Sequence, residues 1–420
     1  MRVWLVVLGM TAAGQTALTL AEAEAMALRN HPRVQSSRLL AEAAKELPKQ
    51  TRAGLSPIVA GNVTGSVAEN GTRLGAGNLN ASSLFSRTAA GFAINQVVWD
   101  FGRVRALTAS MEARASALGE TATAARGEVL LRVRESYFRV LLAQMQVRVL
   151  RANLEARQLT LRQIGALAQS NLRSTLDVSF AELNVAEAEL ALNRAESDVR
   201  AGEVDLSAAM GYAESKQFVL SDPGDPAGPL AASADELVTG ALGQRAELAA
   251  LRQQARAANS FAESEKRQSL PTLSATGVAG VFGFKDANLR QRYGALGMNL
   301  NIPIFNGGQF TSRRAEAELR AQAAGQDLRE MEVRVSRDVR AAWVEADNAR
   351  RRMGLTARVL EQALKTVRLA QTRYELGLGT IVELSAAQLS RTTAEVGAGV
   401  ARFEYLLRRS VLDFQMGTLR

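Results

Sequence analysis

The chain reads as a mainly α-helical fold with a smaller β portion, built twice along its length. Three observations lead there. Residues 58–222 and 304–420 contain no proline, and because an interior proline costs a helix about 3 kcal/mol, both stretches are free to run as long helices. A shift of 206 residues lays the first half on the second, placing Asn95 on Asn301, Gly102 on Gly308, Val133 on Val339, Tyr137 on Trp343 and Ala181 on Ala387. Finally, "LNIPIFNGGQ" (300–309) alternates Leu300, Ile302 and Ile304 with Asn301 and Pro303, as a strand does, and breaks at Asn306-Gly307-Gly308 just before the second proline-free stretch.

Composition agrees. Of the 420 residues, 47% are apolar and only 5% aromatic, and long stretches are dominated by Ala, Leu, Arg, Glu and Gln, the usage of long helices and coiled coils. The start, "MRVWLVVLGMTAAGQTALTL", has Arg2, an apolar run from Val3 and small residues near Gly14 and Ala17. It reads as a secretory signal over 1–17, too short for a permanent membrane helix. No later window holds about 18 uninterrupted apolar residues, so contact with a membrane would fall to strands or an adhering surface.

The elements follow in order. The first repeat, 18–220, is predicted to hold a helix near 20–53, strands over 57–68 and 87–99, and long helices over 103–170 and 176–212. The segment "SDPGDPAGPLAASAD" (221–235) has linker punctuation. The second repeat, 236–420, is predicted to hold a helix near 235–268, strands over 271–284 and 292–304, and long helices over 308–376 and 382–416. Before the strands the shift becomes 214, setting Pro57 on Pro271. The difference falls on "ENGTRLGAGNLNASS", which has the character of a surface loop.

Within the long helices Val133, Val140, Val147, Leu154 and Leu161 recur every seven residues, and Val339, Ala346, Met353, Leu360 and Val367 repeat the spacing. That period is the coiled-coil signature. The turns read "AQSNLRSTLDVSFAE" (168–182) and "YELGLGTIVELSAAQ" (374–388), where Gly377 and Gly379 suit a left-handed turn and Thr380 suits a helix cap. These are helical-hairpin tips.

Several classes of chemistry are missing. There is no cysteine, and His31 is the one histidine, which rules out thiolate sites and His-rich metal sites. His31 sits in "RNHPRV", where shaping a helix start beside Pro32 is the simpler role. No Walker-type phosphate loop is present. The charge of +9 comes from Arg spread along helical stretches with Glu between, a solvated helix face rather than a nucleic-acid patch. No cofactor or catalytic residue is indicated. Asp177 and Glu383 open the helices after the tips, where a carboxylate favours the helix dipole. In several copies around an axis they would ring a constriction. Four alternating strands cannot close a barrel, and an open edge cannot face lipid, so several chains would have to contribute.

"LTLAEAEAMALRNHP", the junctions "INQVVWDFGR" (94–103) and "LNIPIFNGGQ", and the tip "YELGLGTIVELSAAQ" resemble the TolC-like outer membrane channels, the outer membrane efflux protein family. The likeness spans essentially the whole mature chain. It implies a homotrimer whose protomers each give four strands to one 12-stranded outer-membrane β-barrel, continuous with an α-helical coiled-coil tunnel through the periplasm. It also implies docking of a periplasmic adaptor and an inner-membrane transporter, of RND or ABC type, for drug efflux or type I secretion. Ser174, Thr175, Leu176, Gly377, Gly379 and Thr380 match the tip turns where docking is expected. Trp99, Gly102, Pro303, Phe305, Gly307 and Gly308 match the barrel–tunnel junctions. Asp177 and Tyr374 match two members of a gate latch, while Gly379 stands where the family has the third, an arginine. Glu383 matches one acidic ring, and Ala386 replaces the other. A soluble periplasmic coiled-coil scaffold or adaptor would account for the helices and the signal, but not for the alternating strand ending at 304.

Overall fold

The computed structural model describes residues 17–67, 73–76, 79–83, 86–170, 174–224, 230–231, 233–285 and 290–419. Most of the proposed signal and parts of the linker and first tip lie outside the described residues. The chain forms two compact units, one from residues within 1–37, 122–246 and 332–420, the other from 38–121 and 247–331.

The predicted helix 20–53 does not run unbroken. It appears as α1 (Leu20–Asn30), α2 (Pro32–Ala44) and α3 (Glu46–Arg52), followed by a 3₁₀ turn at Ala53–Leu55. His31 is extended at φ −69 and ψ 122, as the residue before a proline must be, and its Nδ1 accepts the Arg33 N–H at 3.2 Å. The helix predicted over 235–268 is likewise two, α6 (Ala234–Gln244) and α7 (Ala246–Arg267), broken at the extended Arg245.

Four antiparallel strands make one sheet in the order β1 (Ile58–Ser66), β4 (Arg87–Trp99), β5 (Thr272–Lys285), β6 (Arg292–Asn301). A small hairpin of β2 (Arg73–Ala76) and β3 (Leu79–Ser83) occupies the stretch expected to be loop. The strand expected to reach Ile304 stops at Asn301, because Pro303 has no N–H for a ladder. Register puts Val59 on Ile94, Ile94 on Gly277 and Gly277 on Leu296. Since side chains alternate across the pleat, Val59, Val63, Phe92, Ile94, Leu296, Met298 and Leu300 share one face. The other face carries Asn62, Asn95, Thr276 and Asn299, with Thr276 donating to Asn95 at 2.9 Å. The apolar face stands open: Leu296 is 92% exposed and Val63 86%.

Two helices of 67 residues each, α4 (Arg103–Gln169) and α8 (Gln309–Glu375), follow β4 and β6, and two of 35 residues, α5 (Thr175–Ala209) and α9 (Ile381–Gln415), return from them. At 1.5 Å per residue the longer pair run about 100 Å. Among the described residues no helix is long and apolar enough to cross a membrane.

The seven-residue stripe forms the core of the first unit. Val133, Val140 and Val339 are fully buried. Opposite them α5 buries Ala181, Ala188, Ala195, Gly202 and Ala209, and α9 buries Ala387, Ala394 and Ala401, a second seven-residue row, made of small side chains. Tyr137 anchors this core, its hydroxyl 2.8 Å from Leu18 O and 2.6 Å from Ser221 O. Its repeat counterpart Trp343 donates from Nε1 to Ala231 O at 3.0 Å. The duplication reaches the backbone: Gly211 and Gly417 both have positive φ and close the ends of α5 and α9.

Candidate functional site

Two places combine expected functional residues with unusual local structure: the tips and the sheet–helix junctions. At the second tip α8 ends in a paired hydrogen-bond closure, Gly377 N–H to Tyr374 O at 3.1 Å and Leu378 N–H to Arg373 O at 2.8 Å. This closure requires positive φ at its glycine, and Gly377 has φ +73. Gly379, expected to share that role, does not have positive φ. Thr380 then caps α9, its hydroxyl accepting the Glu383 N–H at 3.2 Å. Glu383 is exposed in the first turn of α9. At the first tip Ser174 caps α5 by accepting the Leu176 N–H at 3.1 Å, with Asp177 in the first turn.

Behind these turns Tyr374 packs with Ile164, Ala181, Ile381 and Leu384 in an apolar cluster. Asp177 lies in the first turn of α5. Leu176, Leu376 and Leu378 stand exposed at the turns.

One buried charge was not found from sequence. Arg157 on α4 is only 6% exposed. Its Nη1 donates to Asn184 O at 2.8 Å and Asn184 Oδ1 at 2.9 Å. Burial pulls its pKa below the usual arginine value, while the carboxylate of Glu187 opposes that shift. The sequence signal was available: the 206-residue shift sets Arg157 on Ala363, also buried.

At the junctions the chain leaves the sheet through left-handed residues. Gly307 and Gly308 have φ +63 and +83, and in the first repeat Phe101 and Gly102 have φ +53 and +80. Phe101 is the one non-glycine residue with positive φ among the described residues, a conformation that costs a β-carbon about 1–2 kcal/mol. Asp100 supports it, accepting the Gly102 N–H at 2.9 Å and the Val104 N–H at 2.6 Å. Arg267 Nη1 donates to Gly102 O at 3.1 Å. Trp99 meets Phe101 edge-on at 6.0 Å. Trp99 and Phe305 are exposed, and Pro303 is half-buried two residues past β6. Among the described residues no cluster of His, Asp or Glu could hold a metal ion.

A duplicated helical hairpin, an open sheet with one bare apolar face and capped tips are the features of a membrane-associated helical channel subunit. The family description "Outer membrane efflux protein" matches residues 25–212 and 237–405. The chain belongs to the outer membrane efflux protein family, whose members are channel proteins of the outer membrane. It is 26% identical over 430 residues to outer membrane protein TolC of Vibrio cholerae, covering 98% of this chain and 93% of that one. It is 24% identical over 417 residues to the alkaline protease secretion protein AprF of Pseudomonas aeruginosa, covering 96% and 85%. The solved structure of the outer membrane protein VceC of Vibrio cholerae superposes with a TM-score of 0.78 at 19% identity, over 95% of this chain and 96% of that one.

Proposed function

We propose that this outer membrane protein is the passive exit duct of a tripartite efflux pump or type I secretion system. Three copies give four strands each to one barrel, and their long helices form the periplasmic conduit. A periplasmic adaptor and an inner-membrane transporter of RND or ABC type engage the tips, and cargo leaves chemically unchanged. The observation that carries this reading is the open sheet. Among the described residues β1 and β6 are the outer strands of its order, its apolar face is bare, and unsatisfied strand edges are not tolerated in lipid. Closure by further copies removes both problems.

Within this reading Asp177 and Tyr374 serve as gate contacts, and Glu383 forms an acidic ring at the constriction. Ser174, Thr175, Leu176, Gly377, Gly379 and Thr380 present the docking turns. Trp99 and Phe305 sit where barrel meets conduit, the level at which aromatic side chains anchor barrels.

The test is extraction from outer membranes followed by conductance in planar bilayers. A heat-dissociable oligomer that conducts is expected. Recovery as a monomer in the soluble periplasmic fraction overturns the reading.

A further inference from the structure

A buried charge next to an apolar cluster has to be compensated. Moving an arginine out of water is costly even after relaxation, and at Arg157 the return is incomplete: Nε finds no hydrogen-bond partner, and the Glu187 carboxylate stands 3.8 Å from Nη1. Packing alone does not require this residue. The second repeat places Ala363 at the matching position of α8 and buries it.

What the guanidinium does is hold Asn184 by both its backbone and side-chain oxygens. Asn184 Nδ2 in turn donates to Ser385 Oγ at 3.2 Å. The chain of bonds runs from α4 through α5 into α9 and thereby crosses from the first repeat to the second. The repeat symmetry does not copy it, since Asn184 falls on Ser390.

Its surroundings make that crossing decisive. Arg157, Asn184 and Ser385 themselves line a partly open groove of about 280 Å³, together with Phe180, Leu183 and Leu389. The apolar side chains of this groove, Phe180, Leu183, Val382 and Leu389, are exposed, so they hold the neighbouring helices with little preference for one register, dispersion contacts being missing on one side. A buried polar link specifies register where apolar packing does not.

We propose that Arg157, Asn184 and Ser385 form the polar pin that fixes α9 against the first-repeat hairpin, with Arg157 as its positioning residue, and that the tip opens by breaking this pin. The opening step rests on the channel reading above; the pin itself does not. Asn184, held from both sides, is the link whose loss frees α9.

Hydrogen exchange on the intact, membrane-extracted protein reads the pin whether or not it conducts. Arg157→Met keeps the length of the side chain and removes its charge. The pin predicts at least tenfold faster exchange at Ile381–Leu389, with Val133–Leu141 unchanged and thermal stability undiminished. Asn184→Ala gives the same pattern, and the double variant adds nothing to it. Arg157→Lys restores part of the protection. Unchanged exchange at α9, or faster exchange throughout the chain with a lowered Tm, overturns the pin.

Because the chain has no cysteine, Asn184→Cys with Ser385→Cys offers a clean crosslink. Oxidation is expected to suppress conductance in planar bilayers and reductant to restore it. A crosslinked protein that conducts as before overturns the opening step. Wild-type protein without conductance removes the channel reading and leaves the exchange result to decide the pin.

Discussion

A β-carbon added to Gly202 on α5 would stand 3.0 Å from Cγ2 of Val140 on α4. The two helices approach closely because one side of their contact carries Ala181, Ala188, Ala195, Gly202 and Ala209. The valine stripe of α4 is therefore matched by a row of minimal side chains, and the spacing between helix axes is set by that row. Gly202→Leu forces the pair apart, and overpacking costs about 1–3 kcal/mol per site. Thermal unfolding by circular dichroism checks this. A Tm equal to wild type would show that α4 and α5 do not meet through this seam.

Tyr137 gives a pH dependence. Burial, the first cause, pushes its pKa up to about 12. In the unfolded chain the phenol titrates near pH 10. The folded state thus favours the neutral phenol, and its contribution to stability is complete below about pH 10 and is lost as pH rises toward 12. Tyr137→Phe is expected to be about 1–3 kcal/mol less stable at pH 7, because buried carbonyls lose a donor. Its stability should also decline less than that of wild type between those two pH values. Parallel curves would place the alkaline loss elsewhere.

Gly377→Ala and Gly379→Ala separate two glycines that the sequence makes look alike. Gly377, at φ +73, should lose about 1–2 kcal/mol from the tip turn on gaining a β-carbon. At Gly379 an added β-carbon meets the flexible Glu383 carboxylate at 3.2 Å, and the effect should stay within about 0.5 kcal/mol. Exchange rates across Arg373–Glu383 report both. Equal effects would contradict the assignment of the turn to Gly377 alone.

The gate proposal divides into two conductance measurements. Asp177→Ala should raise conductance if the carboxylate helps hold the tip shut, and Glu383→Ala should weaken block by multivalent cations if its copies ring the pore. An unaltered current removes Asp177 from the gate, and unaltered block removes Glu383 from the constriction.

The large features were legible because they are periodic. Seven-residue spacing identified Val133, Val140 and Val339, all fully buried, and the absence of proline marked both 67-residue helices. What periodicity could not carry was local. The break at Arg245 has no proline or glycine beside it, and the β2–β3 hairpin lies in a polar stretch that reads equally as loop. Arg157 looked like another surface arginine because its partners Asn184 and Ser385 lie far along the chain and meet it only through folding. The duplication held the clue, since Ala363 shows what the position needs when packing alone decides.

The sheet ends in two unlike strands, β1 and β6. Any closed ring must therefore join head to tail, each copy offering a different edge to each neighbour. A copy damaged at one edge still presents a sound opposite edge and enters the ring, where it leaves a gap. In a cell making both sound and damaged chains the defect would be inherited by the assembly rather than by the chain, so lesions in β1 or β6 should behave as dominant, while lesions that stop the helices folding should behave as recessive.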